Sequence, residues 1–381
     1  MQLKPTFLIT PLLILICSCI SPQKTHQKNI LTTALSSTHP KIKMVMDSVK
    51  KFELQIIYTQ IDRDKDSVIL TEFPYQVNDS NYFYPASTVK IITAVLTLEK
   101  LQQMKSIDLY SRFYVEGDSI ETTFANEISK IFTVSDNEAN NRLLEFLGQD
   151  YINTQLKNKH ISPVRISHRL SAPNAFEITT TPLIAYLNDS TTTPLRPTIN
   201  KTAIPLALNG ISKGSGYYDE NQLIVKPFDF SLKNYYPLNT QFQVLKRIIF
   251  PELYKKEDQF QLGEAERDFL IKAMCTLPKE MGYDTNEYYD GYGKFFMYGD
   301  HREAIPTNIK IYNKAGSAYG TLTDCAYIID KENNIEFMLA ATILVNKNGT
   351  YNDNEYEYET IGLPFLAQLG REIYKLELLR K

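Results

Sequence analysis

Strand-forming sequence lies near both ends of this chain, and each block is backed by helix-forming sequence. Near the N-terminus, residues 54–61 and 68–73 are β-rich and flank a turn containing Asp62, Asp64 and Asp66, which predicts a hairpin. Near the C-terminus, Ile309 and Ile311 alternate with Lys310 and Tyr312, and residues 321–329 and 335–345 make two more strands around a Lys-Glu-Asn-Asn turn, an antiparallel meander. Ile42, Val45, Met46 and Val49 recur at helical spacing after Pro40. Phe365, Leu366, Leu369, Ile373, Leu376 and Leu379 form one apolar stripe at the other end, read as core. Helices and strands from both ends predict an α+β body in which the termini meet across one antiparallel sheet, flanked by the N- and C-terminal helices, with an all-helical part between.

The 381 residues are 43% hydrophobic, enough for a large core. The formal net charge of −3 is spread without a basic stripe, so no nucleic-acid partner is expected. Lys4 is followed by an apolar run, Phe7 to Ile16, too short to span a bilayer and ending in Ile16-Cys17-Ser18-Cys19. This resembles a lipoprotein signal peptide. The expectation is a leader over residues 1–18 and a lipid on Cys19 that anchors the chain in a bacterial cell envelope, on the periplasmic face of a membrane. A polar tether follows over residues 19–38, and the domain occupies residues 39–381. Cys275 and Cys325 show no pairing or ligand spacing, and five scattered histidines give no metal site. Asp62, Asp64 and Asp66 look like the start of a calcium loop, but Ser67 stands where glycine is needed and Phe73 where a glutamate is needed, leaving a polar turn.

Chemistry begins at Pro85-Ala86-Ser87-Thr88-Val89-Lys90, where an extended segment meets an apolar helix expected over residues 87–101. Positions i and i+3 share a helix face, so Lys90 can lie beside the Ser87 hydroxyl, and the helix N-terminus offers amides to developing negative charge. Alone the spacing is weak, since Ser48 and Lys51 share it. Downstream, however, Ser135-Asp136-Asn137 precedes a helix expected over residues 138–147, and Lys314-Ala315-Gly316-Ser317 closes the strand that begins at Ile309. A second Lys-Gly-Ser, at Lys213 to Ser215, lies between Gly210 and Gly216 and reads as a turn.

In order and in setting, these three motifs resemble those of class A β-lactamases and penicillin-binding proteins. Ile178-Thr179-Thr180-Thr181-Pro182 likewise resembles the end of the class A Ω loop, which opens a helix. The resemblance implies a β-lactamase/transpeptidase-like fold and an acyl-serine hydrolase acting, without cofactor, on β-lactams or on D-alanyl-D-alanine stem peptides of peptidoglycan. It implies Ser87 as the acylated nucleophile, Lys90 as its base and Ser135 as the relay to the leaving nitrogen. Asn137, Gly316 and Lys314 would hold the substrate and its proton network, and the Ser87 and Ser317 amides would form the oxyanion hole. Lys90 can accept a proton at neutral pH only if burial and Lys314 lower its pKa. Asp136 is expected to be structural.

Three departures bear on activity. Ala315 removes the hydroxyl that normally meets the substrate carboxylate. The long stretch before Lys314, with an insertion within residues 183–307 rich in tyrosine, reads as either a lid or a surface subdomain. Between Arg165 and Thr179 no Glu-x-x-Leu-Asn is present; Glu177 is the only acid there, so slow deacylation is expected. Ala315 and the missing carboxylate keep a second reading open, a catalytically weak envelope lipoprotein that binds peptidoglycan or a protein partner.

Overall fold

The computed structural model describes Gln2 and residues 29–381, Asp66 excepted. Its centre is a five-stranded antiparallel sheet with the spatial order Ile309–Ala318, Thr321–Asp330, Ile335–Leu344, Gln55–Asp64, Ser67–Tyr75. The N-terminal hairpin thus docks on the C-terminal meander, through Ile57 opposite Ala340 and Thr59 opposite Met338.

Side chains alternate across this sheet with period two, and each parity has its own core. Ile57, Ile61, Cys325, Met338 and Ala340 face a layer that includes the helices Lys90–Leu101, Asn137–Leu147, Leu238–Ile249 and Glu264–Cys275. Ile56, Tyr58, Ala326, Phe337, Leu339 and Ala341 face the helices Ile30–Leu35, Pro40–Met46 and Leu363–Arg380. With both faces covered, the middle strand Ile335–Leu344 is almost continuously buried. Among the described residues no helix is long and apolar enough to cross a membrane.

Several expectations need correction. The packed body begins at Ile30, inside the stretch read as a tether: Asn29 caps the helix Ile30–Leu35, its Oδ1 accepting from Leu31 N at 2.9 Å, and Leu31, Ala34 and Leu35 are buried. A few apolar residues in a polar background carried too little local signal, and it is the closing helix Leu363–Arg380 that supplies the surface they cover. At the far end of that helix Leu379 is exposed and Glu377 is buried, bonded by the Tyr58 hydroxyl and paired with Arg380 at 2.8 Å. Pro182 opens a strand, Leu183–Asn188, where the resemblance implied a helix; it pairs with Arg112–Val115 and Thr191–Leu195 in a small sheet. Residues 183–307 are not wholly a lid or an appended subdomain, because Leu238–Ile249 and Glu264–Cys275 supply part of the main core. Both Cys275 and Cys325 are free thiols. Lys213, in the second Lys-Gly-Ser, pairs with Glu53 beside a turn at Gly214, away from the cleft described next. The leader and Cys19 lie outside the described residues.

Candidate active site

The helix Lys90–Leu101 is buried on nearly every side, so whatever projects from its head is held rigidly. It is preceded by a 3-10 turn, Ala86–Val89, over residues expected to open the helix itself from Ser87; Ala86 has φ +48° and the Thr88 hydroxyl donates to Pro85 O at 2.6 Å. Ser87 sits half-buried at the mouth of this turn, and Lys90, one helical turn on, is fully buried.

Ser135 brings the motifs together. Lys90 Nζ donates to the Ser135 carbonyl, to Ser135 Oγ at 3.3 Å and to Asn137 Oδ1 at 2.7 Å. Lys314 Nζ donates to the same Oγ at 2.9 Å and to Ala315 O at 2.7 Å. A hydroxyl has two lone pairs and one proton; with Lys314 donating to one lone pair, the Ser135 proton remains available for donation. Ser135 holds this position with φ +56°, a strained value for a residue with a side chain. Asp136, as expected, is structural: its side chain caps the helix Asn137–Leu147, accepting from Ala139 N at 2.9 Å.

Gly316 supplies the third join. A side chain there would lie 2.5 Å from Ser87 N and 3.0 Å from Thr88 N, so only glycine lets the strand backbone rest on the Ser87 turn. Lys314 and Gly316 share the strand parity that faces the Ser87 helix, and Ser317 follows directly. Ser87, Ser135, Asn137, Gly316 and Ser317 all line one cleft of about 270 Å³.

Burial, and next the charge of Lys314, hold the Lys90 amine well below its ordinary pKa, with Asp136 opposing. Burial likewise pulls Lys314 down to about 7; the charge of Asp324 opposes this and that of Lys294 adds to it. A neutral Lys90 is chemically able to accept a proton from a nearby hydroxyl. No hydrogen bond joins it directly to Ser87 among the described residues.

Behind the strand lies a network that the sequence did not single out. Lys294, fully enclosed, donates to Asn313 Oδ1 and Met274 O, each at 2.7 Å, and Asn313 Nδ2 donates to Asp324 Oδ1 at 2.8 Å. Asp324 stands opposite Ala315 in the sheet register, so these groups fill the face that Lys314 leaves. Tyr289, Tyr292 and Glu359 also line the cleft, and Glu359 is its one carboxylate among the described residues. Glu177 is exposed and outside it. Its loop is pinned from beneath by Arg169, which pairs with Glu145 (Nη2 to Oε2, 2.9 Å) and donates to the Glu177 carbonyl at 2.7 Å. No sequence motif marks these residues; only strand register and chain return bring them here.

Residues 39–195 match the sequence model of the beta-lactamase enzyme family. No curated protein matches the chain. A class A beta-lactamase from Bacteroides cellulosilyticus superposes with a TM-score of 0.50 at 15% identity, covering 90% of this chain and 98% of its own. One from Mycobacterium abscessus gives 0.47 at 14% identity, covering 84% and 93%. At such identities the likeness is one of fold. Residues 39–195 thus match the beta-lactamase enzyme family, and the chain has the class A β-lactamase fold.

Proposed function

We propose that Ser87 is the nucleophile of an acyl-serine enzyme that reacts with β-lactams and with D-alanyl-D-alanine stem peptides. The observation that carries this reading is the convergence of Lys90 and Lys314 on the Ser135 hydroxyl, in a cleft that Ser87 shares. Lys90, neutral, takes the Ser87 proton as Oγ attacks the carbonyl. The amides of Ser87 and Ser317 meet the oxyanion, and Ser135 passes a proton to the departing nitrogen while Lys314 replenishes it.

Deacylation is the weaker half. No carboxylate of the 168–181 loop lines the cleft, and a positioned base is worth about 10² to 10⁴ in rate. The acyl-enzyme therefore persists, as in a penicillin-binding peptidase. Ala315 favours the alternative of a binder that holds the same ligands without acylation. We further propose that the protein is carried on the cell envelope by a lipid on Cys19; palmitate labelling of Cys19→Ser against the parent checks this, and undiminished labelling would remove it.

Intact-protein mass spectrometry with benzylpenicillin, then with a D-alanyl-D-alanine peptide, tests the reaction. A stable adduct is expected that Ser87→Ala abolishes and Ser48→Ala does not. Absence of any adduct would favour the binder, and rapid turnover lost in Glu177→Gln would return that residue to the site.

A further inference from the structure

A second cavity, of about 800 Å³, continues from the cleft at Ser317 and Tyr358, which line both. Its walls are the 168–176 loop, the edge-strand residues Ser317 to Tyr319 and the 352–358 segment. Tyr84, three residues before Ser87, lies in it, stacked on His168 (6.2 Å between centroids) and edge-on to Tyr319 (4.9 Å). Two residues of extended strand span about 7 Å, so a group attached to a Ser87-bound acyl carbon and running along the strand from Ser317 to Tyr319 enters this space.

The charges there are one-sided. Lys233 Nζ lies over the rings of Phe176 (4.9 Å), Tyr319 (5.6 Å) and Phe228 (5.8 Å), and its one side-chain hydrogen bond is a long one, 3.4 Å, to the Tyr319 hydroxyl. It forms no ion pair among the described residues, and no aspartate or glutamate lines the cavity. The charge of Arg169 is answered by Glu145, whereas Lys233 has no counterpart. A second observation is independent. His168 is 3% exposed and its Nε2 has no partner, although Nδ1 is bonded to Arg169 O at 2.5 Å. With Nδ1 donating to that carbonyl, Nε2 is a bare acceptor. A half-buried amine without an anion, in a cavity that opens on Ser87, is what an anionic ligand would complete, and the unpartnered His168 nitrogen lies in the wall behind it.

We propose that this cavity is a substrate subsite for a carboxylate-bearing acyl substituent, with Lys233 as its counter-charge. Ring faces around the ammonium favour an aryl or alkyl group beside the carboxylate. The proposal rests on Ser87 acylation for its role in turnover, but the site itself binds without it.

Two experiments separate these. Acylation rates with benzylpenicillin and carbenicillin, which differ by one carboxylate on the acyl side chain, are compared in the parent, Lys233→Gln and Lys233→Glu. The parent is expected to favour carbenicillin, and the ratio to fall about tenfold in Lys233→Gln and further in Lys233→Glu. In Ser87→Ala, where nothing is acylated, the monoamide of phenylmalonic acid and neutral phenylacetamide are titrated by NMR. The anion should bind more tightly and lose about tenfold in Ser87→Ala/Lys233→Gln. A rate ratio indifferent to Lys233, or an anion that binds no better than the amide, overturns the proposal. If no penicillin acylates Ser87 while the anion still binds through Lys233, the catalytic reading fails and the subsite stands.

Discussion

Replacing Gly316 with alanine isolates the contact that joins the third motif to the nucleophile. The new Cβ would lie 2.5 Å from Ser87 N and 3.0 Å from both Ala86 Cβ and Thr88 N, against about 3.5 Å for comfortable contact. Two of these three neighbours are backbone atoms of a turn locked to a buried helix, so no side chain can swing away; the edge strand must retreat by about 1 Å. The φ of Gly316 is not in the left-handed region, so alanine costs little there on its own account, and its smaller unfolded-state entropy returns about 0.4–1 kcal/mol. Overpacking costs about 1–3 kcal/mol, leaving a net loss of about 0–2.5 kcal/mol. Activity should suffer far more. A 1 Å error in the placement of reacting groups is worth about 10²-fold, and here it separates the Ser317 amide and Lys314 from Ser87 at once. The assay is the second-order acylation rate with a reporter β-lactam, beside thermal unfolding. Gly117→Ala is the control: its φ of +84° makes alanine strained, yet nothing lies within 4 Å of the added atom, so stability falls and acylation does not. A Gly316→Ala protein that acylates within threefold of the parent would refute the geometry argued for the site.

Lys314→Met should move the pH dependence of acylation upward. Both amines contact Ser135 Oγ, at 3.3 and 2.9 Å, which places them no more than about 6 Å apart. Two like charges that close repel, and the charge of Lys314 is, after burial, the next cause that holds the Lys90 amine below its ordinary pKa. In the proposed acylation the reactive form of Lys90 is neutral and the Lys314 charge disfavours its proton, so without that charge Lys90 stays protonated to higher pH. An unchanged or lowered midpoint would exclude this coupling, whatever happens to the absolute rate. Arg169→Ala should cost about 3–5 kcal/mol in urea unfolding, because Glu145 is left buried without its partner, and proteolysis should then open the 168–181 loop first. Joint replacement of Arg169 by Met and Glu145 by Leu should recover much of the stability; a loss under 1 kcal/mol for Arg169→Ala alone would mean the pair does not pin the loop.

How far the sequence reached depended on the range of the forces involved. Period-two alternation located the strands of the meander and the hairpin, since it reports only which face of a strand meets apolar neighbours. Helical spacing located the helices that carry Ser87 and follow Ser135, and the order of Ser87-Lys90, Ser135-Asn137 and Lys314-Ser317 was enough to name the groups that share a cleft. Each of these is local in the chain or rests on a short motif. The fate of residues 30–35 was not local, because their burial depends on a partner helix more than 300 residues away. Leu379 keeps the apolar periodicity of its helix yet is exposed, while Glu377 is buried and bonded by Tyr58 and Arg380. Pro182 opens a strand in place of a helix because the backbone of Arg112–Val115 is there to pair with it.

The site divides in the same way. Residue types along the chain determined which atoms are able to attack, accept a proton and relay one. Their protonation was decided by the tertiary structure, since the pKa of Lys90 is set by burial and by Lys314, and that of Lys314 by burial, Asp324 and Lys294. Asn313, Asp324 and Lys294 carry no motif because their role arises from strand register and from the return of the 294 segment beneath the sheet. Charge interactions and desolvation act through space at a few ångströms, and a sequence fixes such distances only after it has folded.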